Sequence, residues 1–276
     1  MSLTSDYSDG VPVASYCLST LAGEVLAERK ADTRFYSAST IKLAVLVAAI
    51  TAVERGELSL EQELISTHTF SSQAGGSFSF EPEEYDVGMA AEGATMTLRE
   101  VLGRMISVSS NEATNLVVEL VGFPAVMTAL RACGATDSKM ERLIGDITAL
   151  EQGLTHEVTA RDLCRVMGAI VRGEVANDEH TELMLGWLRA QEYPVIGTEL
   201  STFAPVPEWG SKSGWVTGIQ HDVAFIFPAS SVAANSAARQ GFLLAICTRA
   251  YPEPDAAELI HALTQALLGP LLEPTP

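Results

Sequence analysis

The sequence predicts an α/β (α+β) protein: an antiparallel sheet flanked by helices and built from both chain ends, with an all-helical domain inserted between them. Three observations carry this prediction. Apolar runs rich in strand formers, "VPVASYCLST" and "GEVLAERK", sit near the start. Similar runs, "HDVAFIFPA" and "GFLLAICTRAY", recur after about residue 205, and the long segment between is dominated by helical apolar spacing. Residues 1–38 and 206–276 are therefore expected to form the sheet domain and residues 39–205 the helical insert, with the site in the cleft between them.

Each element has its own signal. The first two runs flank Leu21, Ala22 and Gly23, a glycine turn that makes them a β-hairpin. From Ser39 to Arg55 the pattern is helical, and Gly56 suits the position just past a helix end. A polar stretch over residues 66–94 gives way to "TMTLREVLGRMI", where Thr97 and Glu100 form a capping box that opens a helix. "NEATNLVVELVG" and "FPAVMTALRACG" follow, each helical in period and each ended by glycine. The irregular "ATDSKMERLIGDITALEQGLTHEV" separates them from two more helices, "TARDLCRVMGAIVRGEV" and "ELMLGWLRAQ". After the late strands, "DAAELIHALTQALLGPLL" reads as a terminal amphipathic helix.

Composition narrows the function. With 276 residues, 47% hydrophobic and 19% charged, the chain is long and apolar enough for a proper core. A formal charge of −18 argues against nucleic acid or an anionic membrane as partner, because both select basic surfaces. A small molecule or a neutral polymer is expected instead, and a monomer. The longest apolar run, residues 41–53, is too short to span a bilayer. The start "MSLTSDYSDG" has no charged n-region or apolar h-region, so a soluble chain is expected; "MSL" also suits an expression remnant in place of a leader, which leaves the compartment open. Cys17, Cys133, Cys164 and Cys247 are scattered and read as small buried hydrophobes, and the five histidines are equally dispersed. No metal or cofactor is implied.

One short stretch carries chemistry. "FYSASTIKLAVLVAAI" holds Lys42, one of only four lysines, three residues after Ser39. On a helix these positions share a face, so the amine can reach the hydroxyl. The surrounding residues are apolar nearly all round, and desolvation lowers a lysine pKa, making a neutral amine available to take the Ser39 proton. A helix start also offers free N–H groups to an oxyanion. About 0.3 Ser-x-x-Lys matches arise by chance at this composition, and a lysine snorkelling at a helix edge would explain one. Two further elements reduce the weight of chance. "SSN", Ser109 to Asn111, lies between two helices, and "KSG", Lys212 to Gly214, lies just before a strand.

In this order and at these separations the three elements resemble those of the penicillin-recognising serine hydrolases, specifically the class A β-lactamase-like family, whose motifs are Ser-x-x-Lys, Ser-Asp-Asn and Lys-Thr-Gly. "FYSASTIKLAVL" is similar to the family's nucleophile helix, "TLREVLGRMISVSSNEATNLVVELVG" to its second-motif region, "VTARDLCRVMGAIVRGE" to the helix after its omega loop, and "SKSGWVTGIQHDVAFIF" to the edge strand of the site and its neighbour. The resemblance runs from about residue 11 to 270. It implies a β-lactamase/transpeptidase-like fold, with Ser39 the acylated nucleophile and Lys42 its proton acceptor. By the same resemblance Ser109 shuttles a proton to the leaving nitrogen and Asn111 binds the substrate amide. Lys212 holds the electrostatics of Ser109 and of a substrate carboxylate, and Ser213 hydrogen-bonds that carboxylate, with Gly214 beside it in the substrate-binding set. The oxyanion hole is implied to be the N–H groups of Ser39 and Trp215.

Departures from the family pattern are equally informative. Ser110 replaces the middle aspartate of the second motif, with a modest structural effect expected. "MERLIGDITALEQGLTHEV" lacks the glutamate that activates the deacylating water; with Arg142 matched to the family's loop arginine, that position falls on Ile144. Asp146 is the nearest carboxylate and the candidate replacement, with Glu141, Glu151 and Glu157 further off. His221 stands about where many class A enzymes have a carboxylate-binding arginine, so it is a candidate substrate ligand or a brace for its strand through Asp222. The family's N-terminal helix is expected to be truncated or missing. Three functions fit these features: a serine hydrolase that turns over β-lactams or related amides and esters, with slow deacylation expected from the missing glutamate; a penicillin-binding relative acting on D-Ala-D-Ala-type peptides or as a sensor without turnover; or a serine-dependent amidohydrolase such as a glutaminase.

Overall fold

The computed structural model describes residues 3–231 and 239–272. A small antiparallel pair, β1 (Thr4–Ser5) and β2 (Ser8–Asp9), precedes the hairpin of β3 (Val13–Thr20) and β4 (Val25–Arg29), which turns through Gly23 at φ +91° as the glycine signal predicts. Strand β5 (Phe35–Tyr36) leads through a 3-10 turn, Ala38–Ile41, into α1 (Lys42–Glu54). The polar stretch holds β6 (Glu63–Ile65), the hairpin β7 (Thr69–Ser71) and β8 (Ser77–Ser79), and β9 (Thr95–Thr97), which pairs with β6. Thr97 opens α2 (Leu98–Ser107) in the expected capping box, accepting from the Glu100 N–H while the Glu100 carboxylate accepts from its own N–H. Helix α3 (Asn111–Val121) starts from a Ser110 cap, and Gly122 separates it from α4 (Phe123–Ala132).

The region read as irregular holds β10 (Lys139–Met140), α5 (Ile147–Glu151) and β11 (His156–Val158), with β11 lying between β10 and β5. These pieces are too short to show a period, which is why the pattern hid them. Next come α6 (Ala160–Val171), α7 (Asp178–Arg189), the short α8 (Ile196–Leu200), strands β12 (Glu208–Val216), β13 (Ile219–Phe227) and β14 (Phe242–Arg249), and the terminal α9 (Glu253–Leu272). The five main strands form one antiparallel sheet of order β12-β13-β14-β3-β4, assembled from both chain ends as expected.

Both faces of that sheet are covered, which explains the unbroken apolar run of β13. Its Val223, Phe225 and Phe227 enter a core shared with α1, α2, α3 and α6, while Ala224 and Ile226 enter a second core with α8 and α9. A strand buried on both sides loses the polar alternation of a half-exposed one. Helix α1 runs through the first core, with every residue from Lys42 to Ile50 buried, so it needs no amphipathic stripe. Val195, Ile196, Leu200 and Phe203, which precede the expected boundary at residue 206, pack in the outer core beside α9. Helical spacing reveals a helix but not which face of a sheet it will cover. Among the described residues no single helix is long and apolar enough to cross a membrane.

Candidate active site

The 3-10 turn before α1 brings Ser39 to a cavity of about 350 Å³ whose wall also includes Ser109, Ser213, Gly214 and Trp215. The residue before it, Ala38, has φ +45°, a left-handed conformation that a non-glycine residue adopts only when its surroundings impose it. Those surroundings are visible. Ser37 N–H donates to the His156 carbonyl at 3.2 Å, and Thr40 Oγ1 donates to the Ser37 carbonyl at 2.6 Å. Strand β12 presses against the same turn, where a methyl group on Gly214 would lie 2.7 Å from the Ser39 nitrogen and 2.9 Å from the Thr40 nitrogen. Glycine at 214 therefore permits the backbone of β12 to meet the turn that leads into α1, and the Ser39 and Trp215 N–H groups belong to these two facing segments.

Lys42 is fully buried. Its Nζ reaches the Ser109 carbonyl at 2.5 Å, Asn111 Oδ1 at 2.8 Å and Ser109 Oγ at 3.2 Å. The expected Lys42–Ser39 bond is replaced by this set: among the described residues no hydrogen bond joins Nζ to Ser39 Oγ. The acceptors it does hold are a carbonyl and an amide oxygen of the second motif. Burial drives the Lys42 pKa well below the lysine range, and the Lys212 charge adds to this while Asp86 opposes it. A neutral amine keeps two N–H donors and exposes a lone pair, so it can hold both oxygens and still accept a proton.

Ser109 also has a left-handed backbone, φ +63°. Its Oγ sits between two lysines, 3.2 Å from Lys42 Nζ and 3.0 Å from Lys212 Nζ. Lys212 is likewise fully buried and also donates to the Ser213 carbonyl at 2.8 Å. Burial lowers its pKa to about 7, against a counteracting pull from Asp222. Asp222 in turn accepts from the Val195 and Ile196 N–H groups at 2.8 Å each; burial raises its pKa to about 6 despite those bonds. All three motifs thus meet at one wall of the cavity.

Sequence reasoning missed the support beneath the second motif. Ser110 caps α3 through the Ala113 N–H, and its hydroxyl also bonds the carboxylate of Asp86, a residue from the polar stretch before β9. Asp86 forms a two-point ion pair with Arg104, whose carbonyl accepts the Ser110 N–H at 3.2 Å. Burial works to raise the Asp86 pKa, but Arg104, the Gly88 N–H and Ser110 together hold it below the usual range. The Asp86 N–H donates to buried Glu112, whose other oxygen meets His68. A carboxylate thus stands beside Ser110, supplied from a different loop. No local motif announces Asp86: apart from the Gly88 N–H, the partners that give it meaning lie 18 or more residues away.

Two candidates leave the site. His221 is fully buried in β13: its Nε2 lies 2.9 Å from the Tyr36 carbonyl oxygen, and its Nδ1 lies 2.7 Å from the Gln220 carbonyl oxygen and 3.2 Å from the Thr248 N–H. Burial lowers its pKa to about 4, the neighbouring carbonyls opposing, so it is a neutral brace between strands and not a substrate ligand. Its partners are these backbone groups in place of Asp222. The side chain shares a sheet face with Val223, Lys212 and Gly214, but it is fully buried against the Phe35 ring and does not line the cavity. Asp146 is equally committed. Buried at the start of α5, it accepts from Ser72 Oγ at 2.8 Å, the Gln73 N–H at 2.8 Å and the Ala149 N–H at 3.0 Å. It is a helix cap that pins the β7–β8 hairpin, and both oxygens are taken.

Ile144, two residues earlier, is clamped through its backbone. Its N–H donates to Asn115 Oδ1 and its carbonyl accepts from Asn115 Nδ2, both at 2.9 Å, while its side chain packs against the first core. Arg142 is buried, bonding the Leu143 carbonyl at 3.0 Å and the Tyr36 hydroxyl at 3.2 Å. The loop is braced on both sides without a carboxylate aimed at the cavity wall.

Comparison with known proteins identifies the family and the fold. A sequence profile described as "Beta-lactamase enzyme family" matches residues 3–270. A beta-lactamase of Streptomyces albus G is 27% identical over 185 residues, 66% of this chain and 57% of that protein, so the chain spans less than two thirds of that relative's length. Beta-lactamase AST-1 of Nocardia asteroides is 29% identical over 226 residues, 80% of this chain and 68% of that one. Among solved structures, a beta-lactamase from Sphaerobacter thermophilus DSM 20745 superposes with TM-score 0.77 at 26% identity, covering 96% of this chain and 93% of the other. PBP-A, solved as a leucine-to-glutamate mutant in an acyl-enzyme complex with penicillin G, superposes with TM-score 0.75 over 94% and 90%, and at 20% identity that likeness is one of fold.

Proposed function

We propose, from the premise that this chain belongs to the beta-lactamase enzyme family, that it is a serine hydrolase acylated on Ser39 by β-lactams or related amides and esters, and that it releases the acyl group slowly. The observation that carries this reading is Ser109 Oγ held between Lys42 and Lys212 on the wall of the cavity that Ser39 enters. Neutral Lys42 accepts the Ser39 proton as Oγ bonds to the substrate carbonyl carbon. The oxyanion forms against the N–H groups of Ser39 and Trp215. The bond to the leaving nitrogen or oxygen then breaks, that atom takes the Ser109 proton, and the lysine pair restores it. Asn111 holds the substrate amide and Ser213 its far end.

Slow release is supported by Ile144 and Asp146, since neither supplies a free base for water. The same observation favours a second reading, an acyl trap of the penicillin-binding kind with no useful turnover. Intact-protein mass spectrometry with a fluorescent penicillin, followed over time, tests both. An adduct that forms and decays supports hydrolysis, and one that persists supports the trap. No adduct, or an adduct retained in Ser39→Ala, overturns the assignment of Ser39.

A further inference from the structure

The cavity at Ser39 has one charged side chain on its wall among the described residues, and it is an acid. Glu253 begins α9, just past β14, whose last residue Arg249 pairs with Ile219 at the start of β13. That end of the sheet also holds Trp215 and Gln220, cross-strand partners that line the cavity with Glu253. Glu253 is exposed and has no ion pair among the described residues. The group of a substrate that rests on Ser213 therefore shares its chamber with an unneutralised carboxylate.

The cations that would offset it are elsewhere. Every lysine and arginine of the chain lies in the described region. Lys212 is fully buried beneath the Ser109 and Ser213 wall, is not itself a lining residue, spends its bonds on Ser109 Oγ and the Ser213 carbonyl, and with its pKa lowered to about 7 carries only part of a charge at neutral pH. His221 is buried and neutral. Arg249 turns to Asp9 at 3.4 Å, and Arg104 is tied to Asp86. The overall charge of −18 has the same sign as Glu253. Like charges brought together in a partly enclosed pocket repel more strongly than in open water.

Building on Ser39 as the nucleophile, we propose that the site selects amides, lactams and esters whose group next to Ser213 is uncharged or carries an ammonium, with Glu253 as the specificity-determining residue against carboxylate-bearing substrates. Free penicillins and peptides ending in a carboxylate are on this reading poor acyl donors, and cationic or neutral esters of the same lactam are better ones.

Three probes that share one reactive centre test this: benzylpenicillin, its methyl ester, and its 2-(dimethylamino)ethyl ester, which is cationic at neutral pH. The second-order rate constant for acylation of Ser39 is read by intact mass. The adduct mass separates lactam opening, which retains the whole molecule, from attack at the ester, which expels the alcohol. Expected is the order cation, neutral, anion, with roughly a tenfold span at low salt that narrows as salt screens the pocket. Glu253→Gln should compress the span to about twofold, and Glu253→Lys should reverse it. A wild-type protein that prefers the free acid, or an order indifferent to Glu253→Lys, overturns the proposal while leaving Ser39 as nucleophile intact. Failure of all three probes to acylate Ser39 overturns the functional reading and this proposal with it.

Discussion

The wall around Ser109 and the loop over residues 141–146 are both built from buried polar groups, yet they use them oppositely. Around Ser109 two lysines are buried without a carboxylate ion pair among the described residues, and burial pulls both pKa values below the lysine range, that of Lys212 to about 7. Their contacts are carbonyls, an amide and a hydroxyl, groups that hold an amine without fixing its proton. In the loop, Asp146 is saturated by three donors and Ile144 is clamped by Asn115, so every polar contact serves position. On the proposed reading, the contrast separates a wall whose groups can exchange protons with a substrate from a loop whose polar groups serve only the architecture.

Removing the amine on the first side should have the largest effect. Lys42→Met is expected to slow acylation by about 10²–10⁴-fold, the range for loss of a positioned base; stopped-flow acylation rates that stay at the wild-type level would move the base role away from Lys42. Adding a carboxylate on the second side is the complementary experiment. Wild type should show a burst of about one equivalent of product followed by a slow steady state, and Ile144→Glu should raise the steady-state rate of nitrocefin hydrolysis by about tenfold or more. Fast wild-type turnover without a burst would erase the contrast between the regions.

A smaller effect separates charge from position within the lysine pair. Burial lowers the Lys212 pKa from the ordinary lysine value to about 7, so its charge is present below pH 7 and lost as pH rises through it. Acylation should therefore fall severalfold between about pH 7 and 9, the range over which a group titrating near 7 loses its charge, and Lys212→Arg, which stays charged, should flatten that limb. The same shift has a stability sign. Above about 7 and up to the unfolded lysine value the native state binds fewer protons, so this residue makes stability rise with pH across that window. A limb unchanged in Lys212→Arg would assign it to another group. The smallest kinetic effect is expected at Asp146: Asp146→Ala should leave the burst and steady-state rates near wild type while lowering unfolding stability by about 1–3 kcal/mol through lost cap and hairpin bonds. Loss of turnover in a folded Asp146→Ala protein would return it to the chemistry.

Much of this was legible in the residues. The hairpin at Gly23, the Thr97–Glu100 box and the long helices carry local signals whose physics is complete within a few residues, and the structure contains each of them. The pairing of Lys42 with Ser39 is read from helix geometry, which says only that two side chains can meet; the hydrogen bonds the amine makes here, to the Ser109 carbonyl and Asn111, come from a segment far along the chain. His221 and Asp146 were placed by analogy of position, and position along a strand or loop does not fix which face a side chain takes or what occupies its oxygens. Asp86 and Glu253 were invisible, since each becomes meaningful only through partners or cavity walls far away in the chain.

By itself the sequence determined a sheet drawn from both ends, a helical middle, and the three motifs that resemble one family, because periodicity, caps and short spacings act locally. Only the tertiary structure decided which groups those motifs touch. Folding set Ser109 Oγ between two buried amines, gave Ser110 a carboxylate from another loop, turned His221 into the core and left Glu253 on the cavity wall. Burial and long-range contact, the two factors that set a pKa and the reach of a charge, exist only once the chain has closed on itself.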